Sequence, residues 1–299
     1  MFEKLGTETR NQKTMALDQM STREILQVMN EEDQRVPQAI LTQLPHIEIA
    51  VDRVIESFRN QGRLIYIGAG TSGRLGILDA VECVPTFSAS PEMVRGIIAG
   101  GLKALTNAVE GAEDDEELGK MDLARIHLSE RDTVIGLAAS GRTPYVIGAL
   151  AYANSRGATT VSISCNPGSK MSAYSDIAIE VETGPEVLTG STRLKAGTAQ
   201  KMVLNMISTA AMVGIGKVYQ NLMVDVQPTN NKLKERSKRI IMEATGVDYE
   251  TAGTYFEKAD HQVKTAIVML LLGCPKKEAA EKIKRSKGFV REALSDLRR

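Results

Sequence analysis

Residues 64–82 read LIYIGAGTSGRLGILDAVE, and this stretch narrows the choice of fold more than any other. The run Leu64-Ile65-Tyr66-Ile67 is short, apolar and β-branched or aromatic in character, which predicts a buried strand. It enters a loop of glycines and hydroxyls, Gly68-Ala69-Gly70-Thr71-Ser72-Gly73, followed by a helix over 73–82 that carries Glu82 near its end. A strand feeding a glycine-rich turn and then a helix N-terminus is how α/β proteins hold an anionic group. Backbone N–H groups approach the anion closely, and the helix dipole favours negative charge there.

The spacing Gly68-x-Gly70-x-x-Gly73 also fits a dinucleotide fingerprint. That fold needs an acidic residue at the end of the second strand to hold the ribose. Here the next strand, 94–98, ends in Ala99-Gly100-Gly101, and Glu92 precedes it. The hydroxyls of Thr71 and Ser72 suit a phosphate monoester instead. A second junction has the same design. DTVIGLAA at 132–139 reads as a buried strand and runs into Ser140-Gly141-Arg142-Thr143-Pro144, with Pro144 at a first helical position. Two such loops fall at the carboxyl ends of parallel strands, where open α/β sheets bind ligands.

The rest of the chain alternates in the same way. Strands are expected at 94–98, 132–138, 159–164 and 176–181, and helices at 102–109, 113–126, 144–156 and 195–213. This predicts a doubly wound, mostly parallel sheet covered on both faces, a flavodoxin-like α/β fold. Ser21-Thr22-Arg23-Glu24 is a capping box that starts a first helix. A longer helix before Gly62 buries Ile47, Val51, Val54, Ile55 and Phe58. Beyond Lys234 the pattern is helical throughout: 240–245, 249–258, 262–272 and 276–297. The expected organisation is an N-terminal helical segment (1–60), an α/β domain (61–232) and a small C-terminal helical module (233–299) of three or four helices.

Composition limits the function. The 299 residues balance 37 basic against 37 acidic groups and contain no Trp. Such a chain has no general attraction to nucleic acid or an anionic membrane, and few platforms for base stacking. The longest plainly apolar run, 266–272, is too short to span a bilayer. Cys83, Cys165 and Cys274 are odd in number and widely spaced, which suits reduced thiols in a cytoplasmic protein. Metal-ligand spacing is missing, and His46, His127 and His261 fall on predicted helices away from both loops. Acid–base chemistry therefore falls to carboxylates. Glu82 is one candidate. Glu110 and Glu113 are the others, flanking Gly111-Ala112, and either could face the pocket. Asp114 to Glu117 fit an ordinary acidic helix start.

Together with these loops, LGTETRN at 5–11, AVEGAED at 108–114, LAASGRTPYVI at 137–147, SISCNPGS at 162–169, LTGSTRLKAGTAQKMVLNM at 188–206 and NLMVDV at 221–226 make the chain resemble the N-acetylmuramic acid 6-phosphate etherases. These are enzymes built on the sugar isomerase (SIS) domain. One departure is Val84, where the family pattern has a proline. The resemblance implies cleavage of the D-lactyl ether to give N-acetylglucosamine 6-phosphate and D-lactate, with no metal or redox cofactor. It implies Glu82 as the acid on the lactate side and Glu113 as the C2 base, a division the sequence leaves open. It also implies phosphate held by Gly70, Thr71, Ser72, Gly73, Ser140, Gly141 and Thr143, and sugar contacts from Glu110. A homodimer is implied too, with Lys195 reaching a pocket from the partner subunit. A non-catalytic sugar-phosphate sensor would lack the two glutamates. A sugar-phosphate isomerase would share C2 deprotonation but release no lactate.

Overall fold

The computed structural model describes residues 5–228 and 230–295. Five parallel strands form the central sheet: β1 (Leu64–Gly68), β2 (Val94–Ile98), β3 (Thr133–Leu137), β4 (Thr159–Ser164) and β5 (Ile177–Glu180). Their spatial order is β2-β1-β3-β4-β5. This is the flavodoxin-like arrangement, and its switch point lies between β1 and β3. β1 and β3 are buried along their whole length, as expected of central strands covered on both faces.

Helices α1 (Thr22–Asp33), α2 (Arg35–Leu41) and α3 (Leu44–Arg59) precede the sheet. The capping box forms as expected: Ser21 Oγ accepts from the Glu24 amide and the Glu24 carboxylate accepts from the Ser21 amide. In α3, Ile47, Val54 and Phe58 are buried and Val51 and Ile55 flank them half-buried. Helix α4 (Gly70–Phe87) follows β1, α5 (Glu116–Arg125) precedes β3, α6 (Pro144–Ser155) follows β3 and α7 (Lys195–Gly214) follows β5. Glycine lets the helices approach both faces. A Cβ at Gly96 would lie 2.5 Å from Ile77 of α4, and one at Gly136 would lie 2.7 Å from Val146 of α6. Adding either methyl group would push a helix off the sheet.

Several boundaries depart from the sequence reading. The helix expected over 73–82 begins three residues earlier, inside the glycine loop, because the Gly73 amide bonds the Ala69 carbonyl at 3.1 Å and closes the first turn. The helix expected over 102–109 is only a 3-10 turn, Gly101–Leu105. Arg74 of α4 donates to the carbonyls of Leu105 and Asn107 at the end of this turn. The helix expected over 113–126 splits at Asp115, whose side chain caps α5 by accepting from the Leu118 amide. His127 and His261 sit in left-handed turns rather than helices.

After α7 come a two-stranded hairpin, β6 (Val218–Tyr219) and β7 (Leu222–Met223), and α8 (Asn231–Thr245), α9 (Tyr249–Lys258), α10 (Val263–Leu272), α11 (Lys276–Arg285) and α12 (Val290–Ser295). The single helix expected over 276–297 is broken by left-handed Lys287 and Gly288, and residues 296 and 297 lie outside the described residues. These helices share their own core around Phe256, Ile241 and Ile267. The chain divides into two compact units, residues 1–81 with 91–208, and 82–90 with 209–299. Among the described residues no helix is long and apolar enough to cross a membrane.

Candidate functional site

The switch point opens into a cavity of about 500 Å³ within the first unit. β1 delivers Gly70, Thr71 and Ser72 to one wall, and β3 delivers Ser140, Arg142 and Thr143 to the other. The arrangement follows from register. β1 and β3 pair with Gly68 opposite Leu137, so the two loops leave the sheet at the same level. Each loop turns at once into a helix, so two helix N-termini converge on one space.

The backbone donors at the start of α4 are open. The amides of Gly70, Thr71 and Ser72 precede the first intrahelical bond of α4. Gly70 holds φ at +51°, a conformation a side chain would strain. At α6, Thr143 is the N-cap residue, but its hydroxyl makes no cap hydrogen bond. Ser140 Oγ accepts from the Arg142 amide at 3.3 Å, which leaves its own proton available. Ser72 Oγ donates to Gln200 Oε1 at 2.8 Å, and the Gln200 Nε2 beside it is buried with no partner. The N-terminus of α7 contrasts with both. The Glu186 carboxylate accepts from the amides of Lys195 and Ala196, so an internal carboxylate already fills that anion site. Burial pushes the Glu186 carboxyl up, against the pull of those amides and of Lys195.

Glu113 and Asp114 stand in the wall, on the 3-10 turn Ala112–Asp114 that the left-handed Gly111 introduces. Glu8, from the N-terminal segment, and Thr192 complete the lining. The segment is held by Thr7, which is fully buried: its amide donates to Asn166 Oδ1 and its hydroxyl accepts from Asn166 Nδ2. The cavity thus offers neutral donors at its floor, carboxylates at its side, and Arg142.

Gly70, Thr71, Ser72, Glu113, Ser140 and Thr143 are therefore brought together. The others are not. The Gly73 amide is committed to the Ala69 carbonyl, and a Cβ there would lie 2.7 Å from the Gly68 carbonyl oxygen. Gly73 serves helix–strand contact. Gly141 holds φ at +69°, donates its amide to Ala138, and has no room for a Cβ, which would meet Ser169 at 2.3 Å. Glu110 is exposed and does not line the cavity. Lys195 is 1% exposed, and its amine is bound to Glu32 of α1 at 2.6 Å, so it is tied within its own chain rather than projecting outward. Glu82 is exposed near the end of α4 and is not among the residues that line the cavity. Sequence reasoning missed Glu8, Asp114, Arg142 and Thr192 as lining residues; Asp114, read as part of an acidic helix start, stands in the cavity wall instead. Each lies inside a motif that carried the family resemblance, which was the available signal.

Residues 46–154 match the family described as the glucokinase regulatory protein N-terminal SIS domain, and residues 102–210 match the SIS domain. An N-acetylmuramic acid 6-phosphate etherase of Shouchella clausii (strain KSM-K16) is 68% identical over 294 residues, covering 98% of this chain and 99% of the relative. One from Geobacillus sp. (strain WCH70) is also 68% identical, covering 98% of this chain and 100% of the relative. Among solved structures, a phosphoheptose isomerase from Neisseria gonorrhoeae shares the fold, with a TM-score of 0.50 and 16% identity over 64% of this chain and 98% of that one.

Proposed function

Because the chain belongs to the N-acetylmuramic acid 6-phosphate etherase family, we propose that the switch-point cavity is where it cleaves the D-lactyl ether of N-acetylmuramic acid 6-phosphate. The observation that carries this reading is the meeting of two uncapped helix N-termini with the Glu113 carboxylate in one cavity. The 6-phosphate sits on the α4 amides and the hydroxyls of Thr71, Ser72, Ser140 and Thr143. In the open-chain sugar the C1 aldehyde acidifies the C2 proton, and Glu113 removes it. The C3–O bond then breaks, and a protonated carboxyl gives its proton to the departing lactate oxygen. Water adds at C3 of the unsaturated aldehyde, giving its proton to the lactate-side carboxylate that the elimination left behind, while Glu113 returns its proton to C2. One water is consumed, and N-acetylglucosamine 6-phosphate and D-lactate are released. The chain's own groups suffice for each proton transfer.

We assign the lactate-side acid to Glu82 of a second copy. Glu82 is exposed and remote along α4 from the loop that starts it. Beside it on the same helix, Leu78 and Val81 are 48% and 60% exposed, an apolar stretch suited to contact with another subunit. A homodimer would exchange one Glu82 in each direction. A phosphorylated sugar does not cross a bilayer unaided, so the reaction belongs in the cytoplasm.

The test is D-lactate release by the purified protein from N-acetylmuramic acid 6-phosphate and, in parallel, from the unphosphorylated sugar. Lactate from the phosphorylated sugar alone supports the reading. Release of no lactate, with interconversion of other sugar 6-phosphates, would replace it with an isomerase.

A further inference from the structure

Arg142 stands apart in the cavity. Among the described lining residues it is the one cation, against the carboxyl groups of Glu8, Glu113 and Asp114. Its Nε is buried and has no hydrogen-bond partner, and it forms no ion pair with the described residues. Other half-buried arginines of this unit are engaged: Arg63 by Asp132, Arg74 by two carbonyls, Arg95 by Glu92. A buried guanidinium Nε–H left without an acceptor at a cavity is costly unless a ligand supplies one.

Resting on the etherase reading, the substrate brings two anions, the 6-phosphate and the carboxylate of the lactyl group. The phosphate already has the open amides of α4 and hydroxyls from both loops, all neutral donors reinforced by two helix dipoles. Every other charged group in the wall is a carboxylate, which would repel the lactyl carboxylate. We propose that Arg142 is the subsite for the lactyl carboxylate. A guanidinium fork matches a carboxylate with two parallel hydrogen bonds. It would hold the leaving group while the C3–O bond breaks. It also separates substrate from product, because N-acetylglucosamine 6-phosphate keeps the phosphate and has lost the carboxylate. An arginine on the phosphate would bind both equally well.

The experiment uses the full-length wild type, Arg142→Gln and Arg142→Lys. The KM for N-acetylmuramic acid 6-phosphate is compared with the inhibition constant of N-acetylglucosamine 6-phosphate. Removal of a charge-assisted pair predicts a KM about 10- to 100-fold higher for Arg142→Gln. The product's inhibition constant stays within about twofold. Arg142→Lys, which keeps the charge and loses the fork, lies between in KM and leaves product binding unchanged. If product binding weakens in step with substrate binding while the melting temperature holds, Arg142 binds the phosphate and the proposal fails. If neither constant moves, Arg142 does not touch the substrate and it fails likewise. Should Arg142→Gln not fold, the same two constants for Arg142→Lys decide. Failure of the etherase reading itself is separate, since the wild type would then release no lactate.

Discussion

The sheet of the first unit carries a cavity at each end, and the two differ in how their polar groups are used. At the amino ends of the strands a cavity of about 470 Å³ is lined by Arg63, Arg95, Arg125, Arg131, His127, Glu92 and Asp132. It has more charge than the switch-point cavity, yet its central groups answer one another. Arg63 meets Asp132 at 2.7 Å and 3.1 Å and also donates to the carbonyls of Ile126 and His127. Asp132 accepts further from the Ser129 amide and hydroxyl. At the carboxyl ends the Arg142 Nε, the Gln200 Nε2, the first amides of α4 and the Thr143 hydroxyl have no such answer. Internal satisfaction makes a strut, and buried polarity left open makes a binding site.

The sharpest break is expected at Glu113. Glu113→Gln should lower kcat for lactate release by about 10²- to 10⁴-fold, the range for loss of a general base. N-acetylglucosamine 6-phosphate should still protect the variant against thermal unfolding. Retention of more than a tenth of wild-type turnover would remove Glu113 from the chemistry.

Next comes the closed end. Asp132→Asn leaves Arg63 facing an uncharged partner and should cost about 3–5 kcal/mol of stability, read from urea unfolding, with kcat per folded molecule unchanged. The pH dependence has a definite sign. Burial alone would raise the Asp132 carboxyl, but Arg63 and the amides of Ser129 and Arg63 hold it below the usual carboxylate range. Its contribution is therefore complete above pH about 4 and is lost as pH falls through the lower folded value. The variant's stability deficit should shrink on acidification. A deficit that grew instead would contradict the strut.

Gln200 offers a finer test of the open end. Gln200→Glu would hold the Ser72 proton more firmly and set a negative charge near the phosphate, so KM should rise about 10-fold. Gln200→Leu frees that proton and should change KM by less than about threefold. The reverse order would mean that Ser72 does not donate to the phosphate. The smallest effect belongs to Arg95→Ala, whose pair with the exposed Glu92 should be worth under about 1 kcal/mol in the same urea titration and nothing in turnover.

The architecture was legible because both central strands are short apolar runs, and the two loops of glycine and hydroxyl residues follow them closely. The loops' anionic purpose was legible for the same reason. Less visible was which glycine does what. Gly70 borders the cavity, while Gly73 and Gly141 answer to a neighbouring carbonyl and to Ser169, contacts that have no trace in local sequence. In place of the 102–109 helix stands a short 3-10 turn whose end is bonded by a distant side chain, Arg74. Lys195 looked available in a polar, family-like motif, but Glu32, 163 residues away, holds it. Burial would raise the Glu32 carboxyl, but hydrogen bonds from Lys195 and Lys13 hold it down at about 2. Long-range pairing decides these cases, and a linear reading does not contain it.

The measurement that bears most directly on the central claim mixes two inactive proteins. Glu82→Gln and Glu113→Gln would be purified separately, combined under conditions that exchange subunits, and assayed for D-lactate release. If each site takes Glu113 from one copy and Glu82 from the other, every mixed dimer regains one intact site, and activity should recover to about one quarter of wild type. If both carboxylates act within one chain, mixed dimers hold only damaged sites, and no recovery despite subunit exchange would contradict the account.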